Sequence, residues 1–549
     1  MISFETIQEN FYFMILEVKN QVYNTFDFLN SPEPELYEKI ISKDDYIDNL
    51  KNVIESKCFS RILPSSGLVK KEINKIRAIH TITVNLERIG DFCVNVAEQM
   101  KYLSDYKVLY GFDYDEMLTE ILRGLSNINA AMRKNDLALT LDICRTENNL
   151  DKMYKVHFDH VLGQLSEKRV HPGDYITILF IVRYLERIGD SLLNIGEAIL
   201  FDIIGEKIKI NQFQALQQNL DQTGFEGPIS EVDFQGIWGS RSGCRIGRIN
   251  DKQTNPDSAR GSIFKEGAIN KISKERENLN IWQEKFPGVV PKVFSYQQSD
   301  SEDKASMLIE FLPGCTLDEE ILTAELNVLK SVYADFEAQL AHIWENTIRK
   351  EKTPTDYVNQ FRSRRNAVLQ VHPEFRGGEQ RMQEVRVKSI SGLLDEAAGY
   401  EAETPSPLSI LIHGDFNVNN IVYEQRKKTI HFIDMYRSRQ YDYIQDVSVF
   451  LISNFRMPIF DSNLRTRLNW VIEKFYSFAK SFADKHEDTT FDARLSLALA
   501  RSFYTSTRFE LNKTFANEMF LRARFLLEKL CLSGKKQSQF RIPKEILFY

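Results

Sequence analysis

At 549 residues the chain is far longer than one ordinary core requires, so two or three folding units are expected. A hydrophobic content of 43% with 27% charged residues excludes a fibrous or wholly disordered chain, and 77 acidic against 70 basic side chains (net charge -7) leave no general positive field for nucleic acid. Six scattered cysteines without a CxxC pair exclude a zinc knuckle or disulfide framework; with no basic-then-apolar leader and no apolar run near the ~20 residues of a membrane span, the expectation is a cytoplasmic protein that is not integral to a membrane.

From the N-terminus, apolar residues recur three and four apart through roughly the first two hundred positions, with breakers near Asn30–Pro34, Pro64–Gly67 and His171–Gly173. This predicts long helices. Within them the string Leu86-Glu87-Arg88-Ile89-Gly90-Asp91 returns as Leu185-Glu186-Arg187-Ile188-Gly189-Asp190. Each copy continues in the same way, to Asn95 and Glu98 or to Asn194 and Glu197, and each follows an acidic pair four residues apart, Asp44/Asp48 or Glu147/Asp151. A spacing of four sets both carboxylates of a pair on one helix face, and two such helices packed together converge four carboxylates on one hard cation. Without a cation the same arrangement is only a solvated, mutually repelling face.

The doubled LERIGDxxxNxxE motif with its upstream acidic pair closely resembles the PhoU family. The resemblance implies tandem three-helix bundles over residues 1–212 and a regulatory place in phosphate signalling with a protein partner. It further implies metal ligands at Asp44, Asp48, Glu87 and Asp91 in the first bundle and at Glu147, Asp151, Glu186 and Asp190 in the second, with iron or zinc as the ions.

Residues 213–228, rich in glutamine, asparagine and glycine, read as a linker. Beyond it β-prone segments appear at Arg245–Ile249, Val289–Tyr296 and Met307–Leu312, and long helical stretches follow from about Thr316. Strands first and helices afterwards predict a two-lobed α+β domain over 229–549, with lobes at about 229–314 and 315–549.

The strongest chemical signal is LSILIHGDFNVNNIVY, in which a strand-like run delivers His413, Asp415 and Asn420, followed by a second run ending in Asp434. Phosphoryl transfer needs a carboxylate beside the acceptor hydroxyl, and an amide oxygen and second carboxylate for Mg²⁺. Asp415, Asn420 and Asp434 are that set, although Asp and Asn also populate ordinary turns. The segment strongly resembles the aminoglycoside phosphotransferase and choline kinase superfamily, whose HGDxxxxN and ID motifs correspond to His413-Gly414-Asp415, Asn420 and Ile433-Asp434. The resemblance implies ATP as donor, Asp415 as catalytic base, Asn420 and Asp434 as Mg²⁺ ligands, and Asp446 as a structural aspartate opening the next helix. Asn417-Val418-Asn419 departs from the family's usual His-Pro-Gly type of loop, which puts acceptor preference in doubt.

The preceding lobe is legible in pieces. Gly239, Ser240, Ser242 and Gly243 form a tight loop suited to covering phosphates with backbone N–H groups. Lys265 ends an apolar strand, where it would neutralise phosphates; Glu275 or Glu277 of the next helix is its partner, with Glu277 preferred. Glu310 and Leu312 fall where the resemblance places the adenine-binding hinge. The aromatic and basic residues of the last hundred positions read as helix packing. The expected function is ATP- and Mg²⁺-dependent phosphorylation of a hydroxyl on an unspecified small metabolite. The alternative is a non-catalytic nucleotide sensor in phosphate homeostasis, and the absence of HRD, DFG and APE motifs sets a protein kinase aside.

Overall fold

The computed structural model describes residues 4–62, 69–166, 171–223, 232–236, 245–251, 261–299, 303–378, 380–382, 385–534 and 539–549. The chain divides into two compact units, Met1–Asn255 and Pro256–Tyr549. Among the described residues no helix is long and apolar enough to cross a membrane.

The first unit is built from α1 (Phe4–Asn30), α2 (Pro34–Ile62) and α3 (Lys70–Met100), then α4 (Asp115–Lys134), α5 (Leu137–Leu165) and α6 (Pro172–Ile204). Each set of three packs as a bundle, and α3 lies along α6, so the two LERIGD helices form the seam of the tandem. Their apolar stripes make one core, with Ile82, Leu86, Ile89 and Val96 of α3 matched by Ile181, Leu185, Ile188 and Ile195 of α6. The breaks at Asn30–Pro34 and His171–Gly173 separate helices as expected, whereas Pro64–Gly67 lies outside the described residues.

The repeated glycine explains how the acidic pairs meet. A Cβ on Gly189 would stand 3.0 Å from Leu150 Cδ1 and 3.2 Å from the Glu147 Cα, and one on Gly90 would stand 3.3 Å from Asp44 Oδ1. Glycine thus lets the second helix of each pair approach the helix carrying the upstream carboxylates.

The expected linker is corrected in its first half. Residues Ile210–Gln222 form helix α7, with Ile210, Phe213, Leu216 and Leu220 buried. Glu197 ties its start to α6, accepting from the Ile210 N–H at 3.2 Å and from Lys209 Nζ at 2.7 Å. Polar composition suggests a linker, but the apolar residues at helical spacing decide otherwise. Strands β1 (Val232–Gly236) and β2 (Arg245–Asp251) then pair antiparallel.

The second unit opens with β3 (Gly261–Ala268), α8 (Ile269–Lys285), β4 (Val293–Ser299) and β5 (Lys304–Glu310). Strand β5 pairs antiparallel with β3 and with β4, and α8 packs on this layer. Next come β6 (Cys315–Thr316), α9 (Leu317–Thr323), α10 (Leu326–Thr347), α11 (Tyr357–Val371), β7 (Gln380–Met382), β8 (Val385–Val387) and α12 (Ile390–Glu403). The chain continues through β9 (Ile410–Ile412), β10 (Ile421–Glu424), β11 (Thr429–Phe432), β12 (Arg439–Tyr441), α13 (Ile444–Phe455), α14 (Ser462–Lys485), α15 (Phe491–Ser506) and α16 (Lys513–Leu532). Small antiparallel pairings, β11–β10–β6 and β12–β9, sit in the helical part and hold the loops that carry the motif residues. The protein is therefore a helical tandem followed by an α+β domain with a sheet-rich and a helix-rich lobe.

An aromatic cluster fixes those loops. Phe416, next to Asp415, packs on Phe336 (centroids 6.0 Å), Phe432 (5.4 Å) and Phe450 (5.8 Å). Burial of several such rings is worth several kcal/mol and ordering them beneath the loop limits its freedom. Cys58, Cys93, Cys144, Cys315 and Cys531 form no disulfide.

Candidate functional site

The first carboxylate set converges. Ligand oxygens of Asp48, Glu87 and Asp91 lie within 4.8 Å of one another, with Asp44 beside them on α2. Burial, then repulsion from Asp91 and Asp48, raises the Asp44 carboxyl to about 6; burial and Glu87 raise Asp91 in the same direction. Lys51 Nζ meets Glu87 at 2.8 Å, so one cation already neutralises part of the set.

The second set is arranged differently. Arg183 pairs with Glu186 at 2.8 Å and Arg187 with Asp190 at 2.7 Å. Among the described residues Glu147, Asp151, Glu186 and Asp190 form no comparable cluster of three ligand atoms. Burial, followed by a hydrogen bond with Asp151, raises Glu186 to about 7. Sequence duplication therefore yields one open oxygen-donor site and one largely satisfied by arginine.

In the second unit, the lysine of β3 is found in a fixed pair. Lys265, 3% exposed, reaches Glu275 at 2.6 Å and Asp434 at 2.7 Å. Burial opposes the ammonium, but the two carboxylates outweigh it and hold the lysine charged, while Lys265 depresses Asp434 against its own burial. The preferred partner Glu277 is corrected to Glu275. Glu275 lies on the buried stripe of α8 with Ile272, Asn278, Leu279 and Trp282, whereas Glu277 points to the opposite, solvated face and pairs with Lys274 at 3.3 Å.

Two further contacts seat α8 against the motif loops. Asn278 Nδ2 donates to the Met435 carbonyl at 2.8 Å, and Trp282 Nε1 donates to Ser438 Oγ at 2.7 Å. Asp434 adopts φ 63°, a left-handed conformation uncommon for aspartate, at the turn between β11 and a short 3-10 segment.

His413 links the two motif loops. Its Nε2 lies 2.9 Å from the Ile433 carbonyl and its Nδ1 lies 3.3 Å from the Asp415 N–H. A carbonyl accepts and an N–H donates, so the ring is the neutral Nε2–H tautomer; burial lowers its pKa accordingly. Asp446 accepts from the N–H groups of His413 at 2.7 Å and Gly414 at 2.8 Å, although burial lifts its pKa to about 7. Gly414 has φ +85°, and a Cβ there would come 2.3 Å from the Arg437 carbonyl oxygen. This corner requires glycine.

Asp415 is half-buried; its Oδ1 accepts from Asn417 Nδ2 at 2.6 Å, and Arg437 stands 3.4 Å from its Oδ2. Asn420 donates Nδ2 to the Asp415 carbonyl at 2.9 Å. Among the described residues its amide oxygen carries no hydrogen bond, nor does Asp434 Oδ2, which leaves two oxygens of the kind a hard divalent cation takes. Asp442 serves the fold instead. Fully buried, it accepts from Tyr357 Oη at 2.8 Å and Ser406 Oγ at 3.1 Å and pairs with buried Arg494, which also pairs with Asp488.

Glu310 and Leu312 lie at the end of β5 and just beyond it. The Glu310 side chain accepts from the Lys292 N–H at 3.2 Å, and the Leu312 N–H has no hydrogen bond among the described residues. Gly239, Ser240, Ser242 and Gly243 lie outside the described residues.

Sequence reasoning does not single out Asn417, Arg437, Arg456 and Arg508 as site residues. Arg456 Nη2 donates to Asn417 Oδ1 at 3.1 Å, and Arg508 follows α15 in the segment read as packing. The departure at Asn417 is the available signal; the arginines come from separate segments that only folding brings together.

The PhoU domain model matches residues 13–100 and 114–199, and the ecdysteroid kinase-like family model matches 328–480. The phosphate-specific transport system accessory protein PhoU homologue of Borreliella burgdorferi is 31% identical over 189 residues, 33% of this chain and 84% of that protein. Its Clostridium acetobutylicum counterpart is 26% identical over 200 residues, covering 35% of this chain and 89% of that protein. An aminoglycoside phosphotransferase of Streptomyces rimosus, solved with ADP and streptomycin, aligns at 16% identity and a TM-score of 0.33 over 58% of this chain and 98% of that one. The chain belongs to the PhoU family through its N-terminal tandem and carries, in its C-terminal part, a kinase-like domain matched by the ecdysteroid kinase-like family model.

Proposed function

We propose that the second unit is an ATP- and Mg²⁺-dependent phosphotransferase acting on a hydroxyl of a small molecule. The observation that carries this reading is the charged Lys265–Glu275–Asp434 group, with free oxygens on Asp434 and Asn420 and with Asp415 on the adjoining loop. Lys265 neutralises the donor phosphates, and Asn420 and Asp434 hold the cation, which supplies charge neutralisation for the transferring group. Asp415 orients the acceptor hydroxyl and takes its proton. His413 keeps the two loops in register through its Ile433 and Asp415 bonds. Backbone at Glu310–Leu312 meets the adenine.

The helical tandem, whose relatives are named as accessory proteins of a phosphate-specific transport system, acts in this reading in phosphate regulation and binds a protein partner in the cytoplasm. Its first carboxylate set holds a metal ion. The donors are all oxygen, which suits iron or another hard divalent cation better than a tetrahedral zinc site of nitrogen and sulfur ligands. The second set, neutralised by Arg183 and Arg187, does not fit a cation in the same way.

Calorimetric titration of ATP with and without Mg²⁺ tests the kinase reading. Asp434→Ala should abolish the Mg²⁺-dependent part of binding, while Asp415→Ala keeps binding and loses turnover. ATP binding that is indifferent to Mg²⁺ and to Asp434 would sink the assignment.

A further inference from the structure

The surroundings of Asp415 are strongly cationic. Arg437 Nη1 lies 3.4 Å from Asp415 Oδ2, and Arg456 Nη2 donates to Asn417 Oδ1 at 3.1 Å, whose amide in turn donates to Asp415 Oδ1. Arg508 lies on the turn Thr507–Phe509 that packs against α11, the helix on which Arg364 is exposed, and these two arginines complete the group. Burial and then the charges of Arg364, Arg437 and Arg456 drive the Arg508 pKa down to about 10, with Asp415 opposing them. Beneath them Arg501 is 8% exposed. Its Nη2 bonds only uncharged partners, Gln445 Oε1 and Ser448 Oγ, both at 3.1 Å, and its buried Nε has no hydrogen-bond partner.

Guanidinium groups stay charged at every physiological pH, and a single carboxylate cannot neutralise four or five of them. Lys265 and the Asn420 and Asp434 oxygens already serve the donor phosphates in the proposed reaction. The arginines come from α11, from the turn after Asp434, from the end of α13 and from beyond α15, and Arg437 and Arg456 converge on the Asp415–Asn417 corner of the loop.

We propose that the acceptor is an anion, a small hydroxylated molecule bearing a phosphate or carboxylate that Arg364, Arg437, Arg456 and Arg508 grip while its hydroxyl faces Asp415. This rests on Asp415 being the acceptor-orienting residue. In the step, the acceptor oxygen forms a bond to the γ-phosphorus and the bond from that phosphorus to the β–γ bridging oxygen breaks. ADP leaves with the electron pair, and the hydroxyl proton passes to Asp415 and then to solvent. Guanidinium forks match both oxyanions bidentately, so the shared chemistry is a planar or tetrahedral oxyanion close to the reacting hydroxyl.

The test reads binding before turnover. Inorganic phosphate, and acetate in parallel, is titrated calorimetrically into the full chain saturated with Mg²⁺ and a non-hydrolysable ATP analogue. Phosphate or acetate should bind, with Kd raised roughly tenfold or more in Arg508→Ala and in Arg364→Ala. Arg426→Ala, an exposed arginine on the turn between β10 and β11, should leave it unchanged. Turnover is then compared on one carbon skeleton, with glycerol, glycerol 3-phosphate, glycerate and 3-amino-1,2-propanediol as acceptors. Preference for the two anions supports the inference, and the better anion distinguishes phosphate from carboxylate. Anion binding that is absent, or equal in native and variant chains, overturns it, as does turnover confined to the neutral or cationic acceptor. Arginine-dependent binding without turnover of any acceptor keeps the anion site and removes the phosphotransferase reading instead.

Discussion

Lys265 keeps its charge in an almost water-free position because two carboxylates reach its ammonium from different elements, Glu275 on α8 and Asp434 after β11. Removing one partner of such a buried group typically costs about 3 to 5 kcal/mol when the other charge is stranded, somewhat less where a second carboxylate stays. Glu275→Gln should therefore lower kcat/KM for ATP roughly ten- to a hundredfold, the equivalent of about 1.4 to 2.8 kcal/mol. Glu277→Gln, on the solvated face, should stay within about twofold of the native chain. Steady-state kinetics on the two variants decides it, and equal effects would contradict the pairing. A second expectation concerns Gly414: alanine there must displace the Arg437 carbonyl or abandon the positive φ, so Gly414→Ala should lose activity while far-ultraviolet circular dichroism stays native. The identities of Asp415, Asn420 and Asp434 are readable in sequence because one short segment carries their spacing. Glu275 is not, because two glutamates lie within reach of Lys265, and only the phase of α8, set by Ile272, Leu279 and Trp282, separates them.

At the level of elements, the LERIGD repeat works as a packing device, whatever its proposed role as a ligand motif. Gly189 accommodates Leu150 and the Glu147 backbone so closely that Gly189→Leu must push α6 off α5, an overpacking cost of about 1 to 3 kcal/mol. Urea titration followed by circular dichroism should show a lowered midpoint with little change in slope. The facing carboxylates predict a pH response. Asp44 has a folded pKa of about 6 against an ordinary value of 3.8, so the folded state holds its proton more tightly. That stabilisation is full below pH 3.8 and is lost as pH rises through about 6. In metal-stripped protein the melting temperature should fall through that window more steeply for the native chain than for Asp44→Asn, and added divalent cation should reverse the difference at the upper end. Identical slopes would remove Asp44 from the cluster. Helix α7 shows the limit of composition at this scale: glutamine and asparagine dominate its sequence, yet four apolar residues at helical spacing bury one face.

For the whole molecule, each unit has a core of its own: interleaved aliphatic stripes between α3 and α6 in one, and the Phe336–Phe416–Phe450 cluster with Trp282 and Phe432 in the other. The change from helical to strand periodicity makes the succession of a helical tandem and an α+β region legible, because local pattern reports local structure, but it sets the change at residues 213–228 and not at the division after Asn255. The arginine group around Asp415 is not legible, since its members are separated by long stretches of chain and no local period connects them. Two cores, and the two kinds of ligand site proposed above, predict two separable responses to heat. A ligand that binds only the folded state stabilises it by RT ln(1 + [L]/Kd), about 2.7 kcal/mol at a hundredfold excess over Kd. Calorimetric scans of the full chain should resolve two transitions. Mg²⁺ with a non-hydrolysable ATP analogue should raise one, and iron(II) under anaerobic conditions the other. Asp434→Ala should abolish only the nucleotide shift, because it leaves the carboxylates of α2 and α3 intact, and Asp48→Ala should abolish only the iron shift. If either variant removed both shifts, the two sites would be coupled through a shared folding equilibrium and regulation of the kinase-like domain by the helical tandem would acquire a direct thermodynamic basis.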